Sequence, residues 1–380
     1  MSSERRKKER LSRFTGQALR LAAEDLCAGG ELGTREAPGE IWKKMARRGL
    51  LGWSIPASCG GGGARFTDIL PAAEAFVGRG GRPGLALSWM VHLIVAKVLI
   101  SNAGSRAQKK EILPAMAKGR VTASIALSEP GSGSDPKRIR TRAVEKAGRY
   151  VLDGEKAWLT NGPLADLFIV FAVTGERGGR KQLTAFLVPR TTHGLTVREM
   201  PPLGFLRPSP HCAIRLEGCA VPQTAILGCS GHAWEELSKP FRVVEDTLLA
   251  GVILGGLDRQ LREIVRGMKE SNRDIGNDVR ERIGAVAVQL EVARQIAQDA
   301  AGDLDRGKRG MDPERKLVAI HLIAKTLQES IDSIQEGGGH TRLPGTLGDD
   351  IARLIGLGMH ASRARQRRRA DRLLAGKETS

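Results

Sequence analysis

The chain has 380 residues, of which 41% are hydrophobic and 27% charged, the balance of a soluble globular protein with room for two or three domains. Lys and Arg total 60 against 42 Asp and Glu, a net charge of +18, which reads either as solvated helix faces and charged termini or as an electrostatic footprint for an acidic partner. No run approaches the roughly 20 apolar residues of a membrane span. The opening stretch, Met1-Ser-Ser-Glu-Arg-Arg-Lys-Lys-Glu-Arg10, has no apolar core behind its charges and does not read as a secretory signal.

Residues 1–120 read as a helical domain, with apolar residues three and four apart at Leu87, Met90, Val91, Ile94 and Val98. Residues 121–230 read as a β-domain. Strand-like runs at 167–173, 183–188 and 213–216 alternate there with Gly and Pro turns. Residues 231–380 return to a helical pattern, with long segments at 239–268, 278–306 and 312–336. This order predicts an α+β chain, mostly α: a helical domain, a small central β-barrel and a closing four-helix bundle. It argues against a doubly wound nucleotide fold, and no GxGxxG or Walker-type loop is present. The five cysteines form no CxxC pair and are odd in number, as in a cytoplasmic protein with reduced thiols. The seven histidines make no HxxxH or HExxH pattern, so no metal site is expected.

Two segments carry the chemistry. Ala126-Leu-Ser-Glu-Pro-Gly-Ser-Gly-Ser-Asp135 and Lys156-Ala-Trp-Leu-Thr-Asn-Gly162 each sit against a strand-like run and are dense in Gly, Ser and Thr. As two loops at strand ends they would line a cleft with hydroxyls and amides, and Trp158 would supply a flat apolar wall. Such a cleft suits a planar heteroaromatic cofactor that needs stacking, hydrogen bonds and shielding from water. Either segment alone reads as an ordinary hairpin loop.

Together the segments resemble the acyl-CoA dehydrogenase family, flavin enzymes that desaturate acyl thioesters. That family shows a Thr/Ser-Glu-Pro-x-x-Gly-Ser-Asp segment followed by Lys-x-Trp-Ile-Thr-Asn. The resemblance extends upstream through 42–56, Phe66-Thr-Asp68 and 113–119, and downstream through Pro202-Leu-Gly204 and Val221-Pro222. It implies FAD as the cofactor. It also implies contacts to the flavin or the pantetheine side from Leu127, Ser128, Gly133, Ser134, Trp158 and Thr160. The adenosine half carries over less completely. Arg273 lies one place from the family's Arg, which reaches the cofactor diphosphate of a neighbouring subunit. Gln335, Gly337 and Gly339 stand near the family's Gln and Gly-Gly-x-Gly-Tyr. Use of the smaller FMN is left open.

The family needs one carboxylate base beside the substrate α-carbon. One of its two positions for a Glu, near the C-terminus, is occupied here by Leu357, and no acid occurs from Ile351 to Ala370. The other, as in the isovaleryl-CoA branch, lies on the first long helix of the bundle. Glu245, Ala250, Gly251 and Gly255 fall into register with it. Leu248 and Leu249 share a helix face with Glu245, an apolar setting expected to raise its pKa. The family has Arg after this Glu; here Asp246 follows, which removes a cation and adds a carboxylate that raises the pKa further.

The reading is a flavin-dependent α,β-dehydrogenation of a short or branched acyl thioester, held by CoA or by an acidic acyl carrier protein. An electron-transfer flavoprotein or oxygen is the acceptor, no membrane is involved, and the resemblance implies a homotetramer or homodimer. A flavin monooxygenase on the same fold is the alternative, and there Glu245 would be coincidence. A nucleic-acid-binding relative is the third reading. It is prompted by seven basic residues among positions 1–20, eight among 351–380, and the run Arg363-Ala-Arg-Gln-Arg-Arg-Arg369. No aromatic residue lies in that run, which disfavours base stacking and leaves only a salt-sensitive backbone interaction.

Overall fold

A computed structural model describes residues 38–375 apart from 132, 202–203, 272–274, 308–310 and 338–345. Arg273 and Gly339, Cys27 and the basic stretch before residue 20 lie outside the described residues.

Helices α1 (Pro38–Arg47), α2 (Phe66–Gly78), α3 (Pro83–Ile94) and α4 (Arg106–Ala117) come first. Pro83 opens α3, where its fixed φ and missing N–H cost nothing. Ser105 and Gln108 close a reciprocal capping box on α4. The expectation that no segment is long and apolar enough for a membrane span needs correction. Helix α3 continues through a π-helical turn at Val95–Ile100 to Ala103, and Pro83–Ala103 passes by length and composition. Its most apolar window is 89% buried inside the fold. Lys97, which interrupts the apolar run, donates to the Ala64 carbonyl at 2.9 Å and lies over the Phe66 ring.

The middle of the chain forms an eight-stranded mixed sheet of order β6-β7-β3-β2-β4-β5-β8, with β1 pairing β4 in parallel. The strands are β1 (Ala123–Ala126), β2 (Arg142–Lys146), β3 (Arg149–Thr160), β4 (Leu167–Arg177), β5 (Arg180–Pro189), β6 (Leu195–Glu199), β7 (His211–Pro222) and β8 (Ile226–Leu227). Strand β4 shows why both faces are buried. Leu167, Ile169 and Phe171 join the core shared with the helices, while Phe168, Val170 and Ala172 join a second core inside the sheet. Strands β3, β5 and β7 also send side chains into that second core. The expected barrel is therefore a curled sheet whose path ends at β6 and β8 rather than closing.

The bundle consists of α5 (Lys239–Glu270), α6 (Asn277–Asp305), α7 (Met311–Gly337) and α8 (Leu347–Leu374). Helix α5 lies directly on α2. A Cβ on Gly251 or Gly255 would collide with the backbone carbonyls of Leu70 and Glu74. The glycine spacing that aligned Glu245 thus sets how closely this helix approaches its neighbour. Leu357 sits within the continuous helix α8, 63% exposed.

Candidate active site

The first segment folds back on itself after β1, with Glu129 and Gly133 exchanging backbone hydrogen bonds at 2.9 and 3.1 Å. The second is not the loop expected. The chain stays paired to β7 as far as Thr160, with a bulge between Lys156 and Leu159. At the bulge Trp158 takes φ +63° and exposes half of its surface. A bulky residue at positive φ is a strained outlier that the surroundings must enforce. Its N–H is held by the Met200 sulfur at 3.3 Å.

Two residues inside these motifs, unassigned from the sequence, lock them together. The fully buried Lys156 ammonium donates to the Glu129 carboxylate at 2.9 Å and to the Leu127 carbonyl at 3.1 Å. Ala157 N–H donates to the Ser128 carbonyl at 2.9 Å, and Ser124 Oγ to the Thr160 carbonyl at 2.7 Å. Glu129 also accepts the backbone N–H groups of Arg140 and Thr141 and the Thr141 hydroxyl at 2.6 Å. Burial opposes the Glu129 charge, but Lys156 and Thr141 outweigh it and hold the carboxyl below its ordinary range. Burial pushes the Lys156 ammonium down to about 8 despite Glu129. Buried charges survive only when paired and hydrogen-bonded in this way. The signal available in the sequence was the pairing of a Glu in one motif with a Lys opening the other.

The structure therefore brings Leu127, Ser128, Gly133, Ser134, Trp158 and Thr160 to one edge. Thr160 Oγ1 lies 3.1 Å from His211 Nε2, and His211 Nδ1 lies 3.0 Å from the Ser209 carbonyl. A carbonyl only accepts, so Nδ1 carries the proton and Nε2 accepts from the Thr160 hydroxyl. Burial lowers the His211 pKa and keeps the ring neutral. Gly131 and Gly133 take φ +72° and +59°, and nothing stands within 4 Å of where a Cβ would lie. An exposed indole, a hydroxyl with free lone pairs and open space over the glycines fit a flat heteroaromatic ring system.

Helix α5 reaches the same edge. Arg242 Nη2 donates to Ser134 Oγ at 2.5 Å, and Glu245 lies one turn further on. The Glu245 residue keeps some accessible surface, yet its carboxyl is deep enough that burial pushes its pKa up to about 7. Arg242 works against that rise and Asp246 adds to it. Asp246 pairs with Arg365 of α8 at 2.6 Å, so a cation does stand here, delivered from another helix. His321 of α7 lies near both, its pKa lowered mainly by burial.

Gln335 and Gly337 are not brought to this edge within one chain. They occupy the last turn of α7, about 20 Å along the helix from His321 at 1.5 Å per residue.

Comparison with known proteins identifies the family. The acyl-CoA dehydrogenase N-terminal domain matches residues 8–120, and the middle domain of the same enzymes matches residues 124–219. The L-prolyl peptidyl-carrier-protein dehydrogenase of Pseudomonas fluorescens is 30% identical, over 84% of this chain and 85% of its own. The mitochondrial isovaleryl-CoA dehydrogenase of Arabidopsis thaliana is 29% identical, over 79% of this chain and 74% of its own. Among solved structures, an FAD complex of PigA shares 25% identity over 93% of each chain, with a TM-score of 0.77. The chain belongs to the acyl-CoA dehydrogenase family and is a flavin-dependent oxidoreductase whose cofactor is FAD.

Proposed function

We propose that the protein removes two hydrogens across the Cα–Cβ bond of a short or branched acyl thioester, with Glu245 taking the α-proton. The observation that carries this reading is the Glu245 carboxyl itself. Burial pushes its pKa up to about 7, and it sits on a helix tied through Arg242 to the Ser134 loop. A base poised near neutrality combines a useful ionised fraction with proton affinity. FAD, when bound, would supply the acceptor for the β-hydrogen as hydride. Leu127, Ser128, Gly133, Ser134, Trp158 and Thr160 would hold its ring, and Trp158 would exclude water from one face. Gln335, Gly337, Gly339 and Arg273 would serve the cofactor of a neighbouring subunit in a homodimer or homotetramer.

Of the two thioester forms, an acyl group on an acidic carrier protein is the better match to the +18 charge. The prolyl carrier-protein dehydrogenase among the relatives supports the same choice. An electron-transfer flavoprotein or oxygen takes the electrons onward, in a cytoplasmic enzyme. Anaerobic titration with one short branched acyl group, presented on CoA and on a carrier protein, tests the reading. Bleaching of the flavin absorbance is expected. No bleaching by either thioester would move the assignment to the oxygen-using alternative.

A further inference from the structure

The second half of α8 carries six arginines between Arg363 and Arg372 and one acid, Asp371. On a helix this stretch spans only about 15 Å. Arg363, Arg367, Arg368, Arg369 and Arg372 are exposed, whereas Arg365 turns inward to Asp246. Between this half of α8 and the first turns of α7 runs a groove of about 300 Å³. Among the described residues, Arg315, Arg365, Arg368, Arg369 and Arg372 line it together with Glu314, which pairs with Arg368 at 3.4 Å. Bare leucines accompany the charges. Leu322 lies in the groove at 43% exposure, and Leu373 and Leu374 end the helix at 55% and 87%.

We propose that this arginine-lined groove between α7 and α8 is the docking surface for the acidic protein that carries the acyl group, an inference resting on the dehydrogenase reading above. Three observations support that occupant. The charge is concentrated where complementary carboxylates would raise the encounter rate and fix orientation. The exposed leucines offer apolar contacts that an amphipathic acidic helix can cover and a phosphate backbone cannot. Arg365 in the groove wall also pairs with Asp246, the neighbour of Glu245, so the groove and the proposed base are separated by one ion pair.

The test compares wild-type holoenzyme with the double variant Arg368→Glu/Arg372→Glu, two exposed side chains that are not among the residues proposed to hold the flavin or take the proton. Each enzyme oxidises the same acyl group on the carrier protein and on free pantetheine. The proposal expects kcat/KM for the carrier-bound substrate to fall about tenfold or more, with a steep salt dependence in the wild type that the variant loses. Turnover of the pantetheine thioester should be unchanged. Equal losses on both substrates, or an unaffected carrier reaction, would overturn the proposal. So would dissociation of the homo-oligomer by the variant, which would give the groove to a second copy. Duplex DNA binding at about 0.15 M salt that the variant abolishes while carrier turnover persists would assign the groove to nucleic acid. A wild-type enzyme that oxidises the pantetheine thioester but never the carrier-bound one would overturn docking and leave the dehydrogenase intact. One that oxidises neither would fail at the level of the proposed function.

Discussion

Asp246 on α5 and Arg365 on α8 form a largely buried ion pair at 2.6 Å, one residue from Glu245. Asp246 stands where the family's Arg is expected, and Arg365 restores a cation at that point from a neighbouring helix of the bundle. The arrangement screens Glu245 from the neighbouring carboxylate, whose charge is among the causes that raise its pKa.

Removing one partner of such a pair leaves a buried charge uncompensated. Arg365→Met should therefore destabilise the fold by about 3–5 kcal/mol in denaturant titration. Adding Asp246→Leu should recover most of that loss. The single variant should also shift the acid limb of the kcat/KM–pH profile upward, since Asp246 then acts on Glu245 without its counter-ion.

The pH profile tests the Glu245 environment directly. The base works ionised, so kcat/KM should rise about tenfold per unit at low pH and level off above a midpoint near 7. The stability sign is opposite. Burial raises the folded-state pKa from 4.5 to about 7, so the folded protein binds an extra proton between those values. This group's contribution to stability is greatest below the unfolded value and is lost as pH rises through about 7. Glu245→Gln should abolish both dependences, with a stability gain over wild type of the order of 1–3 kcal/mol at pH 8. An acid limb that survives unchanged in Glu245→Gln would mean another group titrates.

Trp158 separates stability from binding. A side chain at φ +63° carries a backbone penalty of about 1–2 kcal/mol, and half of this indole is exposed. Trp158→Gly relieves the strain but gives up the buried half of the indole, so the two effects partly offset and its Tm should stay within a few degrees of wild type. Its FAD Kd should increase about tenfold or more, because the stacking wall is gone. Unchanged FAD affinity by fluorescence titration would remove Trp158 from the cofactor site.

Much of this architecture was readable because its signals are local. The helices of the bundle follow from apolar periodicity, and the two short motifs that meet at one edge of the sheet stand out by their Gly, Ser and Thr content. Glu245 was found through Gly251 and Gly255, whose spacing records how closely α5 approaches α2. What escaped depends on partners distant in sequence or on backbone detail. Arg365 meets Asp246 across 119 positions, and an isolated Arg within a basic run gives no sign of turning inward. Lys156–Thr160 read as a loop because its alternation is broken, yet the strand continues through it by a bulge between Lys156 and Leu159. The span Pro83–Ala103 was passed over as a long apolar segment because Ser88, His92 and Lys97 interrupt it. The fold covers all three, giving Lys97 a carbonyl and an aromatic face and setting the His92 ring edge-on against Trp42.

The most direct test of the central claim is exchange of the substrate α-proton. The wild-type holoenzyme and Glu245→Gln, each loaded with FAD, are incubated anaerobically in deuterated buffer with a thioester that bleaches the wild-type flavin. Deuterium at Cα is then read by mass spectrometry. Deuterium incorporation by the wild type, and its loss in a variant that retains FAD, is the predicted result. Incorporation at the wild-type rate by Glu245→Gln would contradict the assignment and place the base on another residue.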